Sequence, residues 1–119
     1  MFAKSSKILL TGATGFVGSY VLRKLTAEGY GNIICTRRVD SSLELTTGIE
    51  GFKWVNGDIM DVCFLDDITK KVDIVIHAAA IVTFDPRSFK KMISTAMEGT
   101  ANLVNVALDN NISKFVHIS

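Results

Sequence analysis

The chain has 119 residues, 48% of them apolar and 21% charged, with one proline and a formal net charge of +1. That is enough for one compact domain with a buried core, and it excludes a disordered or low-complexity chain. The near-neutral charge, with no basic run longer than a pair, leaves no field for nucleic acid, and no apolar stretch reaches the length of a membrane span. The opening Met-Phe-Ala-Lys-Ser-Ser-Lys lacks the apolar core of a signal peptide, so the expected location is the cytoplasm.

Residues 8–10, Ile-Leu-Leu, predict a strand buried on both faces. It feeds Gly12, Gly15 and Gly18, spaced Gly-x-x-Gly-x-x-Gly, and then a helix over 16–28 whose apolar stripe is read as Val17, Tyr20, Val21 and Leu25. Strand, glycine turn and helix in succession make a dinucleotide-binding unit. The glycines leave room for a pyrophosphate and for the helix to pack on the strand, and the helix start offers N–H groups and partial positive charge. Thr14 adds a hydroxyl donor, and Phe16 and Val17 complete the loop.

A glycine-bearing helix stop over 27–32 leads to a second strand, 33–36, closed by Arg37 and Arg38. Residues 39–51 read as irregular, with one helical turn around 43–45. A third strand, 52–56, puts Phe52, Trp54 and Asn56 on one side and Lys53 and Val55 on the other, and Gly57-Asp58 ends it. Asp61 caps a short helix over 62–69 in which Val62, Leu65 and Ile68 share a face. Residues 72–78 predict a fourth strand with a small-residue tip of Ala78, Ala79 and Ala80. A long helix over 89–109 carries Phe89, Ile93, Ala96, Met97, Thr100, Leu103, Val104, Ala107 and Leu108 at helical spacing, and Asn110-Asn111 stops it. Residues 114–118 begin a fifth strand.

Strands alternating with helices require right-handed crossovers, hence an α/β, Rossmann-type, doubly wound parallel sheet in the order 3-2-1-4-5. Its carboxyl rim then collects the glycine loop and the tips of strands two, three and four. An acidic residue at the tip of strand two would hydrogen-bond a ribose 2′-hydroxyl; Arg37 and Arg38 suit a 2′-phosphate instead, which favours NADP, with NAD possible. Asp58 can accept a hydrogen bond from an adenine amino group, with Ile59 as apolar contact, and Ala78, Ala79 and Ala80 let a dinucleotide approach closely. His77 and His117 are read as packed core histidines, and Cys35 and Cys63 as buried thiols without metal-ligand spacing.

Together these residues resemble the extended short-chain dehydrogenase/reductase family, which includes nucleotide-sugar epimerases and dehydratases, dihydroflavonol reductases and 3β-hydroxysteroid dehydrogenases. Thr11-Gly-Ala-Thr-Gly-Phe-Val-Gly18 looks like the cofactor loop, Gly57-Asp58-Ile59 like the adenine contact and His77-Ala-Ala-Ala80 like the strand-four signature. Ile81-Val-Thr-Phe-Asp-Pro86 and Glu98-Gly-Thr-Ala-Asn-Leu103 look like the dihydroflavonol-reductase and steroid-dehydrogenase branch. The resemblance implies hydride chemistry on a hydroxyl or carbonyl of a small-molecule substrate, and in many family dimers the long helix pairs with a second copy. Two positions depart from the family pattern. Ala96 stands where an asparagine is usual, and the catalytic Tyr-x-x-x-Lys, which the resemblance would put after the fifth strand, is missing there: Tyr30 is not followed by lysine four residues on, and Tyr20, which Lys24 follows at that spacing, lies in the first helix, before strand three. The usual catalytic serine falls one or two positions past the one that Ser119 resembles. The expectation is therefore an N-terminal cofactor-binding part, inert by itself, of a longer reductase, epimerase or dehydratase. The alternative is a non-catalytic dinucleotide sensor or assembly protein on the same fold.

Overall fold

A computed structural model describes residues 3–78 and 85–118, apart from the Phe89 side chain. In chain order the elements are β1 (Ile8–Thr11), α1 (Phe16–Ala27), β2 (Ile33–Arg37), a 3-10 turn (Glu44–Thr46), β3 (Lys53–Asn56), α2 (Val62–Thr69), β4 (Ile74–Ala78), α3 (Pro86–Asp109) and β5 (Lys114–Ile118). The strands form one parallel sheet in the order β3-β2-β1-β4-β5, as the alternating pattern predicts. Ile8 lies opposite both Ile33 and Ile74, so β1 is the fully paired centre. Ala79, Ala80 and Ser119, and most of the 81–86 motif, lie outside the described residues.

Period-two alternation splits the core between the two faces. Ile8 and Leu10 join Leu22, Ile33, Cys35 and Ile76 on the α1 side, whereas Leu9 joins Leu65, Val75, Leu103 and Val106 beneath α2 and α3. All three β1 apolar residues are fully buried. Each such side chain contributes roughly 1.5–3 kcal/mol through burial, which makes β1, with the equally buried β4 beside it, the centre of the core. Among the described residues, no helix is long and apolar enough to cross a membrane.

The helix ends follow the chemistry of their sequences. The Asp61 carboxylate accepts from the Phe64 N–H and starts α2 at the expected residue. At the end of α1, Tyr30 N–H bonds the Leu25 carbonyl and Gly29 takes φ +93°; at the end of α3, Ile112 N–H bonds the Ala107 carbonyl and Asn111 takes φ 55°. These are two copies of one left-handed cap. The Asn110 amide also donates to the Asp66 carbonyl, the Asp66 carboxylate and the Thr69 hydroxyl, tying α3 to α2.

Several expectations are corrected. The long helix begins at Pro86, three residues before Phe89, because Asp85 caps it through the Arg87 N–H and proline is well tolerated in a first helical turn. Strand four begins at Ile74, opposite Ile8, where the Ile74 N–H bonds the Lys7 carbonyl; the Asp73 N–H shares that carbonyl as the turn ahead of the strand. The buried face of α1 is Gly18, Ser19 and Leu22, with Val21 and Leu25 half-buried, while Val17 and Tyr20 are exposed. Small residues win that face because the helix approaches the β1 turn closely: a Cβ on Gly18 would sit 1.9 Å from the Gly12 carbonyl oxygen. Val62, Met97 and Leu108 are likewise exposed, because the apolar stripes of α2 and α3 are wider than the surface they cover. Cys63, at the start of α2 beside Val62, is exposed rather than buried. His117 is exposed because β5 is the edge strand.

Candidate dinucleotide cleft

The turn from β1 to α1 is built around Gly12, at φ +79°, where a Cβ would lie 1.7 Å from the carbonyl oxygen of Ala78. Only glycine lets this loop lie against the end of β4. Gly15 N–H bonds the Gly12 carbonyl at 3.1 Å, and Gly15 then serves as the N-cap of α1. Among the described residues no side chain caps α1, and its first turn holds no acidic residue, so its leading N–H groups are available to an anion.

A cleft of about 590 Å³ opens at this rim. It brings together Gly12, Thr14, Gly15, Arg37, Arg38, Asp58, Ile59 and Ala78 from the tips of four strands, as the strand order implies. Phe16 and Val17 are exposed and do not line it, and Gly18 lies beneath the loop as its packing contact. Four lining residues from α3 were not anticipated: Lys91, Met92, Thr95 and Ala96. Lys91 and Thr95 are four apart and so share a helix face, a signal already present within the helix expected over 89–109. Ala96, where the family usually has asparagine, therefore faces the cleft with no polar group.

Three polar groups define the chemistry of the cleft. The Arg37 Nε is buried without a hydrogen-bond partner among the described residues, and Arg37 Cζ lies 6.0 Å from the centre of the Trp54 ring. A buried donor left unpaired costs about 1–3 kcal/mol, so Arg37 stands ready for an acceptor. Asp58 Oδ1 accepts from the Met60 N–H at 2.9 Å, a turn role, and Oδ2 has no partner among the described residues.

His77 is buried, as expected. Its Nδ1 is hydrogen-bonded to the Thr11 hydroxyl, its Nε2 lies 2.8 Å from the Thr100 hydroxyl, and its ring stacks on His117 at 5.3 Å. Burial, with a smaller contribution from His117, lowers its pKa from 6.5 to about 4. The neutral ring pins β1, β4 and α3 together at the floor of the cleft. The folded state holds fewer protons than the unfolded chain between those two values. The stabilisation from His77 is therefore complete above pH 6.5 and is lost as pH falls towards 4, by on the order of 3 kcal/mol. Urea unfolding at pH 7 and pH 4.5 should show this loss, and His77→Gln should flatten it; an equal pH slope in the variant would assign the loss to other groups.

The Cys35 thiol, pushed up to about 12 by burial, is an inert core residue. Among the described residues no cluster of His, Cys, Asp and Glu is arranged to hold a metal ion.

A parallel sheet with a glycine loop and an open helix N-terminus at its carboxyl rim defines a nucleotide-binding α/β protein. The chain belongs to the NAD-dependent epimerase/dehydratase family, whose profile matches residues 8–119. It is 32% identical to cinnamoyl-CoA reductase 1 of Oryza sativa subsp. japonica over 118 residues, covering 94% of this chain and 33% of that protein. It is also 32% identical to dTDP-D-glucose 4,6-dehydratase of Mus musculus over 129 residues, covering 99% of this chain and 36% of the relative. Among solved structures, DesIV, a dTDP-glucose 4,6-dehydratase from Streptomyces venezuelae with NAD and TYD bound, superposes with a TM-score of 0.77 at 28% identity, covering 93% of this chain and 37–38% of comparable family chains, 38% in its own case. The chain thus spans about a third of the length of the relatives it matches.

Proposed function

We propose that this chain is the dinucleotide-binding part of an oxidoreductase, epimerase or dehydratase, that it takes NADP(H) in preference to NAD(H), and that it performs no chemistry alone. The observation that carries this is the buried Nε of Arg37, unpartnered among the described residues, at the tip of β2 beside Arg38; in this reading that tip meets the adenosine ribose. In this reading the open N–H groups of α1 and the Thr14 hydroxyl hold the pyrophosphate. Arg37 and Arg38 hold the 2′-phosphate, and the free Asp58 Oδ2 accepts from the adenine amino group beside Ile59. Gly18 sets the height of the loop, while Phe16 and Val17 contribute backbone N–H groups rather than side chains. In the sequence Ala79 and Ala80 follow Ala78, and in this reading they too let the dinucleotide approach closely.

The bound nicotinamide would supply hydride transfer to or from a hydroxyl or carbonyl carbon of a small-molecule substrate. The chain's one Tyr-x-x-x-Lys, Tyr20 to Lys24, lies on α1 outside the cleft, with Tyr20 exposed and Lys24 paired to Glu28, and so does not hold a proton at the substrate oxygen; in this reading the chain's own residues bind and orient only. Calorimetry with NADPH and NADH tests the reading. NADPH is expected to bind at least about tenfold more tightly, with no turnover of simple carbonyl compounds. Equal affinities would overturn the NADP preference, absence of binding the dinucleotide reading, and turnover the assignment of inertness. On the outer face of α3 the exposed Met97 and Leu108 offer a surface for a second copy, a homodimer that sedimentation of a strict monomer would refute.

A further inference from the structure

We propose that Trp54 is a positioning residue for cofactor discrimination, a role that rests on the reading of Arg37 as the 2′-phosphate ligand. In the β2–β3 register Arg37 lies opposite Asn56 and Cys35 opposite Trp54. Arg37 and Trp54 are therefore diagonal neighbours on the same face of the sheet, at a separation that long and aromatic side chains bridge. The guanidinium carbon sits 6.0 Å from the Trp54 ring centre, at the reach of a cation–π contact. Trp54 is itself held by Phe52, whose ring meets it edge-on at 5.1 Å and 82°. Phe52, Trp54 and Arg37 thus form a stack that begins in the α1-side core and ends at the cleft.

The stack gives Arg37 an orientation that it would otherwise lack. No ion pair fixes its guanidinium among the described residues, and its Nε is buried with no acceptor. An arginine held by an aromatic ring keeps its donor fork directed before a phosphate arrives, so less side-chain freedom is lost when the hydrogen bonds form. The benefit falls only on a ligand that carries the phosphate. Trp54 should therefore tune the ratio of NADPH to NADH affinity and leave the affinity for NADH unchanged.

Trp54→Leu and Trp54→Phe, with Arg37→Gln as control, test this by calorimetry of both dinucleotides. Trp54→Leu is expected to weaken NADPH about fivefold with NADH unchanged, and Trp54→Phe to restore most of that loss. Parallel weakening of both, the signature of a packing role, or no change in either would overturn the proposal. Should Trp54→Leu fail to fold, the unmodified protein decides, because Trp54 is its one tryptophan. Its emission should change on saturation with adenosine 2′,5′-bisphosphate and not with 5′-AMP, and an unchanged emission with both would overturn the role. If Arg37→Gln leaves the NADPH preference intact, the fault lies with the reading of Arg37, and the role of Trp54 falls with it.

Discussion

Arg37→Asp is expected to weaken NADPH binding by about 3 kcal/mol, roughly a hundredfold, while NADH binds as well as before or better. The substitution removes one or two charge-assisted hydrogen bonds and places a carboxylate where a phosphate dianion would sit. The same carboxylate can accept from the free 2′-hydroxyl of NADH, so the preference should invert rather than merely fade. Among the described residues the Arg37 Nε has no hydrogen bond to lose in the change. Isothermal titration of both cofactors at one salt concentration would measure it, and an equal loss for the two would show that Arg37 serves the pyrophosphate or the fold instead.

Gly12→Ala should be the most damaging small substitution in the chain. Its Cβ would lie 1.7 Å from the Ala78 carbonyl oxygen, a backbone atom of β4 that cannot swing aside, and the residue would also have to hold φ +79°. The positive φ alone costs roughly 1–2 kcal/mol, and separating the loop from β4 brings the expected destabilisation above about 3 kcal/mol, a large share of the stability of a small domain. Two other glycines separate the causes. Gly29, at φ +93° with open space around it, should lose only the strain, and Gly31, with neither positive φ nor a neighbour within 4 Å, should change little. Urea midpoints of the three alanine variants would rank them. A Gly12 variant as stable as the Gly29 variant would mean that the loop relaxes away from β4.

The strand order was legible because Ile8 to Leu10 are apolar on both faces, which only the middle of a covered sheet requires, and because alternating helices leave parallel crossovers as the sole connection. The tips at Gly12, Arg37, Asp58 and Ala78 followed from that order. What hydropathy misread was contact by small residues. Val17 is more apolar than Gly18 and Ser19, and Tyr20 carries far more apolar surface than either, yet the smaller pair lies inside because α1 comes within touching distance of Gly12. Gly99 acts in the same way, since a Cβ there would stand 2.7 Å from Ile59 Cγ2 and lift α3 away from the adenine-side tip. His117 and Cys63 were misplaced for a different reason: the burial of an edge strand and of a first helical turn depends on neighbours that local pattern does not encode. The α3 wall of the cleft lies within the helix expected over 89–109, but which of its faces meets the rim is set by packing against the sheet, which the spacing of its apolar residues does not encode.

The contact between Gly12 and Ala78 also bears on the birth of the protein. The two residues are separated by 65 others, so at ribosomal speeds of about 5–20 residues per second the glycine loop waits several seconds for the strand that braces it. In that interval β1 can pair with β2 on one side only, and its other edge, which ends as the middle of the sheet, is an exposed apolar template for any passing strand. A nascent chain halted before β4 would thus present its most apolar segment in its stickiest form, and this is where a holding chaperone would have most to protect.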